Sequence, residues 1–374
     1  DDILSETNET VNLTLSAPTG GATLGAISNA VLRIVDNERI GSLDSAFLTG
    51  VGADGHVQTV AVYTNSASTN FGKVIVAGDF QAVDGTPRLR IARLNPDGTL
   101  DNSFNPGVGV NNIVSAAVIQ SNDQIVIGGA FTSVGGVARG FVARLNVDGT
   151  LDATYNSGNA GANGTVFAMV LQPDGKVLIG GGFTTFNGTG RVRVARLLTD
   201  GTLDTGFNPG TGPDGTVQTL ALESGGNLVL GGLFSNFAGA ARNQLARVTT
   251  TGALDNSFAP ALSVGAQVYA VAVQPNGNIL IGGSFTNVGA FSRTNVTRLL
   301  GSNGSIDPSF SSAAVANSTV RALALEASGK VLVGGDLTSL NGVSRFGIGR
   351  LNSDGTLDAT YDPGLGISTN SSVL

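Results

Sequence analysis

The sequence predicts an all-β chain: a β-propeller of four-stranded blades, preceded by a partial β-sandwich module. Three observations predict it. A tract of the form Asp-Gly-Thr-Leu-Asp recurs along the chain. Apolar alternation and short apolar runs recur in register between those tracts. No stretch sustains an apolar period of 3.6 residues, so helix is not expected.

The repeat is legible residue by residue. Copies stand at Asp97–Asp101, Asp148–Asp152, Asp200–Asp204 and Asp354–Asp358, with weaker ones at Thr251–Asp255 and Asn303–Asp307 and a half-copy at Ser42–Asp44. The last Asp of each falls at 44, 101, 152, 204, 255, 307 and 358, at intervals of 57, 51, 52, 51, 52 and 51. Within a repeat, strand A alternates, as in Val217-Gln218-Thr219-Leu220-Ala221-Leu222. A turn such as Pro173-Asp174-Gly175-Lys176 follows, and its Asp-Gly supplies the positive φ that tight hairpins need. Strand B is an apolar run ending in glycines (Val177-Leu178-Ile179-Gly180-Gly181), where a missing Cβ lets stacked blades approach. A Gly- and Asn-containing loop leads to strand C (Val194-Ala195-Arg196-Leu197), and the Asp-Gly turn leads to a short strand D ending near Phe207.

Four antiparallel strands in about 50 residues read as a propeller blade. The blade cores are placed at 57–104, 114–155, 166–207, 217–258, 268–310 and 320–361. Phe80, Phe131, Phe183, Phe234 and Phe285, with Leu337 in the sixth repeat, are expected to fill the space between blades. Seven strand-D segments accompany six complete A-B-C sets. A seven-bladed ring is therefore expected in the parent protein, closed by residues 42–47, with Val373 opening a seventh strand A. The domain boundary falls at about 40/41, and both ends are expected to stop inside a domain of a longer multidomain chain.

Composition narrows the function. The 374 residues include 55 Gly, no Cys and one His. Without Cys there is no disulfide framework, thiolate metal site or Cys nucleophile. A formal charge of −7 without basic runs argues against nucleic acid as a partner. No apolar run approaches the roughly 18 residues of a membrane span.

The recurring pattern from Leu100-Asp101 through Pro173-Asp174-Gly175-Lys176, Gly180-Gly181 and Arg196-Leu197 resembles a bacterial propeller repeat of unknown function, the delta-60 repeat, over about 42–374. The resemblance implies large secreted or surface-attached bacterial proteins and no known activity. Residues 1–40 do not fit the repeat. Asp1-Asp2-Ile3-Leu4-Ser5-Glu6, the alternating Thr10–Ser16, Pro18-Thr19-Gly20-Gly21-Ala22 and Ile34-Val35-Asp36 resemble the C-terminal half of a Calx-beta domain. That resemblance implies calcium as a cofactor, with Asp1, Asp2, Glu6 and Asp36 as candidate ligands and Glu38 a weaker one.

Binding is expected on the face that carries the D–A connections and B–C loops. Candidates there are Asp54, His56, Asn111, Asn112, Asn163, Asp214 and Asn317, with Asn187, Asn236, Asn287 and Asn341 in the B–C loops. His56 is set against Asn112, Thr165, Thr216, Gln267 and Thr319 in the other repeats and reads as a loop residue beside Asp54. The recurring arginines (Arg93, Arg144, Arg196, Arg247, Arg298, Arg350) and the register Asp residues read as bidentate structural pairs. No symmetry-breaking cluster of Asp, Glu, Tyr or Arg stands out. The expectation is a non-catalytic extracellular or cell-surface protein whose propeller is a rigid platform for a glycan or protein ligand. The alternatives are a hydrolase or lyase acting on polysaccharide, and a structural spacer of a large adhesin.

Overall fold

The computed structural model describes the backbone of residues 9–14 and 29–34, and residues 47, 50–263, 265–311, 313, 315–364 and 373. The chain divides into two units, Asp1–Ala46 with Ala359–Gly364, and Phe47–Asp358 with Leu365–Leu374. In the first, Glu9–Thr14 pairs antiparallel with Asn29–Ile34, register Glu9↔Ile34 through Thr14↔Asn29. Asp1, Asp2, Glu6, Asp36 and Glu38 lie outside the described residues.

The second unit holds six blades, and every described element is β. Blade 1 is built from Val57–Val62, Val74–Gly78 and Ile91–Leu94 in the order A-B-C. Blades 2 to 6 repeat it, with strands A at Val114–Ile119, Val166–Leu171, Val217–Leu222, Gln267–Val273 and Val320–Leu325. Strand D is shorter than the sequence suggests: one bridge per blade, such as Leu94↔Leu100 or Leu197↔Leu203, holds it at the outer edge. The B–C loops, expected to be irregular, each carry a small hairpin, for example Thr185–Phe186 with Thr189–Gly190. Strands A of successive blades are neighbours, so they form the innermost layer of the unit.

The core is a series of blade interfaces. One cluster joins Ile75, Ala77 and Ile91 of blade 1 to Val114, Ile125, Ile127 and Leu145 of blade 2, with Phe104 and Phe131 fully buried among them. Tyr155, Phe207, Phe258 and Phe310 hold the corresponding places further along. Burying one such ring removes 150–250 Å² from water, which makes these aromatics the main apolar anchors of each interface.

Each glycine doublet has two separate jobs. A Cβ on the first glycine would meet the next blade: at Gly180 it would lie 2.6 Å from Cγ1 of Val217, and at Gly231 2.6 Å from Cγ1 of Val268. A Cβ on the second would meet its own blade: at Gly181 it would lie 2.1 Å from the Thr165 carbonyl oxygen. Blade stacking, the reason read from the sequence, therefore explains only the first. The second glycine sits opposite a β-bulge in strand A, where the register shifts between Val166 and Ala168.

The outer faces of the series differ from the interfaces. Val60 is 58% exposed, whereas Leu220, at the same place in blade 4, is 8% exposed. A groove of about 320 Å³ runs over that blade 1 face, lined by Phe47, Val57, Val60, Val76 and Leu94. At the far side, Val373 packs on Gly334 as Val217 packs on Gly180, which fits the position expected for it. The remaining residues of the expected closing blade, 42–46 and 365–372, lie outside the described residues.

Candidate ligand-binding site

Two kinds of residue occur in every blade, those that repeat and those that vary, and they sit in different places. The arginines of strand C repeat. Arg196 donates from Nε to Oδ2 of Asp204 at 2.9 Å and from Nη1 to the Thr250 carbonyl of the next blade at 2.7 Å. Its guanidinium lies 5.2 Å from the Phe207 ring centroid. Arg93, Arg144, Arg247 and Arg298 repeat this, reaching Val147, Thr199, Gly301 and Ser353 of their next blades. The pairing is thus not bidentate, as expected from the sequence. One guanidinium divides its donors between its own Asp and the neighbouring blade, so it ties two blades together. Burial raises the Asp152 pKa, but bonds from Thr154 and Arg144 outweigh it and hold this carboxyl at about 2. Bonds from Lys73, Ser103 and Arg93 likewise hold Asp101 far below the usual range despite burial.

Most of the polar residues expected to face a ligand also repeat. Asp54, Asn111, Asn163, Asp214 and Asn317 each accept two successive backbone N–H groups from the B–C hairpin of their blade, at 2.7–3.0 Å. The amides of Ala82 and Gln81 hold Asp54 below its ordinary pKa. Asn187 and Asn341 accept from Gly161 and Val315. Asn236 donates to Asp214, and Asn287 donates to Thr286. These side chains fasten the loops of the face where strands A begin.

The residues that vary stand at the bulge. In all six blades the register of strand A shifts near its start, at Gln58, Ser115, Phe167, Gln218, Tyr269 and Arg321. The extra residue flips the alternation, so that Val217, Leu220 and Leu222 share one interface. It also sends the bulge side chain inward, and the six side chains line one cavity of about 400 Å³ together with Ile113. Bulges re-aim side chains in this way near functional sites.

In blades 6 and 1 a side-chain contact to an aspartate stands at or beside the bulge. Arg321 donates from Nε and Nη2 to the two oxygens of Asp336 at 2.9 and 2.8 Å, a bidentate contact. Its guanidinium lies 5.7 Å from the Tyr269 ring centroid, and the Tyr269 hydroxyl donates to Gln267. In blade 1, His56 Nδ1 lies 3.0 Å from Oδ2 of Asp79, and the His56 amide donates to Oδ1. The His56 side-chain bond is the main cause of a lowered Asp79 pKa. Asp79 and Asp336 occupy the same blade position, directly after the glycine of strand B.

A cluster with symmetry-breaking Tyr, Arg and Asp is therefore present, although the linear sequence did not reveal it. Reading the residue after the first valine of each strand A as a column, Gln, Ser, Phe, Gln, Tyr, Arg, would have found it. The register also corrects one alignment. The carbonyls of His56, Ile113, Thr165, Thr216 and Thr319 accept from equivalent amides, so Ile113, and not Asn112, is the partner of His56 in blade 2. Asn112 bonds its neighbour Ile113 on the exposed loop. Among the described residues no three His, Asp or Glu are grouped to hold a metal ion. Nor is any helix there long and apolar enough to cross a membrane.

Comparison with solved structures gives distant likenesses, among them three at 12–16% identity. A catalytically inactive virginiamycin B lyase from Staphylococcus aureus with quinupristin is 14% identical, covering 94% of this chain and 87% of that one, with a TM-score of 0.49. A gluconolactonase from Xanthomonas campestris is 16% identical, covering 75% and 93%, with a TM-score of 0.38. PorZ, a surface component of the type-IX secretion system of Porphyromonas gingivalis, is 12% identical, covering 88% and 44%, with a TM-score of 0.44. Among curated proteins the sequence matches none. The six repeats match the family described as "Domain of unknown function (DUF5122) beta-propeller" at residues 72–104, 120–155, 172–207, 225–258, 274–310 and 326–361, and the chain belongs to that family.

Proposed function

We propose that the protein is a non-catalytic binding platform, secreted or on the cell surface, that takes its ligand in the axial cavity on the face where strands A begin. One observation carries this reading: the bulge column is the place where a six-fold repeated scaffold stops repeating. Variation displayed on a rigid frame is how binding sites are commonly made. The Calx-beta resemblance of residues 1–40 adds a calcium-dependent stalk to the reading, with Asp1, Asp2, Glu6 and Asp36 as its ligands.

The hydrolase alternative requires a carboxyl whose pKa is raised so that it can act as an acid. Asp79 of blade 1 is shifted the other way by His56, which favours binding over turnover.

Binding is tested on the intact protein with a mixed glycan and peptide library, with calcium and with chelator. The expected result is retention of a ligand that Gln218→Ala weakens and that is recovered unaltered. Recovery of a cleaved ligand would overturn the non-catalytic reading. Calcium dependence would support the N-terminal ligands, and binding that is equal in chelator would remove them from the mechanism.

A further inference from the structure

We propose that the cavity takes a neutral carbohydrate, the end of a glycan whose ring stacks on Phe167 while its hydroxyls bond to the amides of Gln58 and Gln218. This rests on the reading of the cavity as the ligand site and names its ligand class.

The first argument is charge. Among the described residues Arg321 is the only charged one of the lining, and two of its three nitrogens already bond Asp336. An anionic ligand would have to part a bidentate pair or crowd Asp336. A cationic one would meet Arg321. A neutral ligand disturbs neither, and Nη1 of Arg321 is left to donate to a hydroxyl oxygen.

The second argument is the set of free polar groups. Among the described residues the side chains of Gln58, Ser115 and Gln218, which face the cavity, have no hydrogen-bond partner. Each glutamine amide offers two donors and an acceptor. Hydroxyl groups, which both donate and accept, match that inventory without any change of protonation.

The third argument is the aromatic surface. Residue 182, at the position of Asp79 and Asp336, is glycine, so no side chain stands beside the Phe167 ring there; a Cβ would lie at ordinary contact, 3.9 Å from the ring. Tyr269 is covered on one side by Arg321. Phe167 is therefore the ring that offers an open apolar face, suited to the C–H face of a sugar. A volume of about 400 Å³ is near the low end of ligand sites, roughly 300–1,000 Å³, which suits a chain end rather than a long polymer segment.

The labelled full chain is applied to an array of neutral hexose and N-acetylhexosamine glycans, uronic-acid, sialylated and sulfated glycans, and peptides. Hits confined to neutral glycans are expected. Phe167→Ala should weaken them about tenfold and Gln218→Ala several-fold, with unchanged thermal melts, while Asp174→Asn on the opposite face leaves binding unchanged. Should Phe167→Ala fail to fold, Phe167→Leu serves, since it removes the flat ring and keeps the apolar volume. Hits confined to acidic glycans or peptides, still lost in Gln218→Ala, would overturn the neutral-sugar inference and leave the cavity as the site. Neutral hits insensitive to Phe167 and Gln218 would overturn the cavity itself.

Discussion

The outer rim and the axial cavity are built from the same repeat and obey opposite rules. At the rim, arginine, aspartate and aromatic ring recur in successive blades, and the arginines of blades 1 to 5 reach into the next blade. At the cavity, the equivalent residue is Gln, Ser, Phe, Gln, Tyr or Arg. The contrast teaches where each job lies. Every interface must solve the same packing problem, so it uses the same chemistry. A ligand has no six-fold symmetry, so the surface that meets it does not repeat.

The comparison is sharpened first by truncation. Phe207→Ala at the rim removes a fully buried ring between blades 3 and 4 and should cost about 3–5 kcal/mol. Arg196→Ala leaves Asp204 buried without its main cation and should cost about 3 kcal/mol. Gln218→Ala, at the cavity, should stay within about 0.5 kcal/mol. Denaturant unfolding midpoints measure all three, and a cavity variant as costly as a rim variant would erase the distinction.

The glycine doublet offers a smaller test. Gly181→Ala drives a methyl against the Thr165 backbone oxygen, which cannot move without undoing the bulge, and should cost about 2–3 kcal/mol. Gly180→Ala presses on side chains alone, those of Val217 and Leu220. Blade 1 already carries Ala77 in that place, so the cost should be about 1 kcal/mol. Melting temperatures of the two variants, compared side by side, settle whether the second glycine serves the bulge.

The smallest effect expected is that of pH. Asp152 has an ordinary pKa of 3.8 and is held at about 2 when folded. The folded chain thus binds fewer protons than the unfolded chain in that window, and the stabilisation is complete above about 3.8 and lost as pH falls through about 2. Thermal melts should be flat near neutrality and fall below about pH 4. Asp152→Asn should be less stable at neutral pH and show a shallower acid limb. An unchanged acid limb would remove this carboxylate from the rim's stability.

Much of this was legible in the chain. The 51–52 residue spacing, the Asp-Gly turns and the in-register phenylalanines are local signals, and they placed six strand sets close to where they stand. The buried partners of Phe80, Phe131 and Phe183 follow from the same periodicity. The length of strand D was not legible, because a single bridge such as Leu94↔Leu100 depends on how far the edge bends away. The loop asparagines were legible as polar and recurrent, but not as hairpin fasteners, since their partners lie 21–22 residues on.

By itself, then, the sequence determined the repeat, the strand order and the family, because those are written in spacing and in residue type. Only the tertiary structure decided which positions meet. Gln58 and Arg321 are separated by five repeats in the chain and face one cavity, because a one-residue bulge near the start of each strand A turns its side chain toward the axis. A bulge is a register relation between two strands, set by the bonds of strand B to residues on either side of it, and no single strand carries it in its own residues.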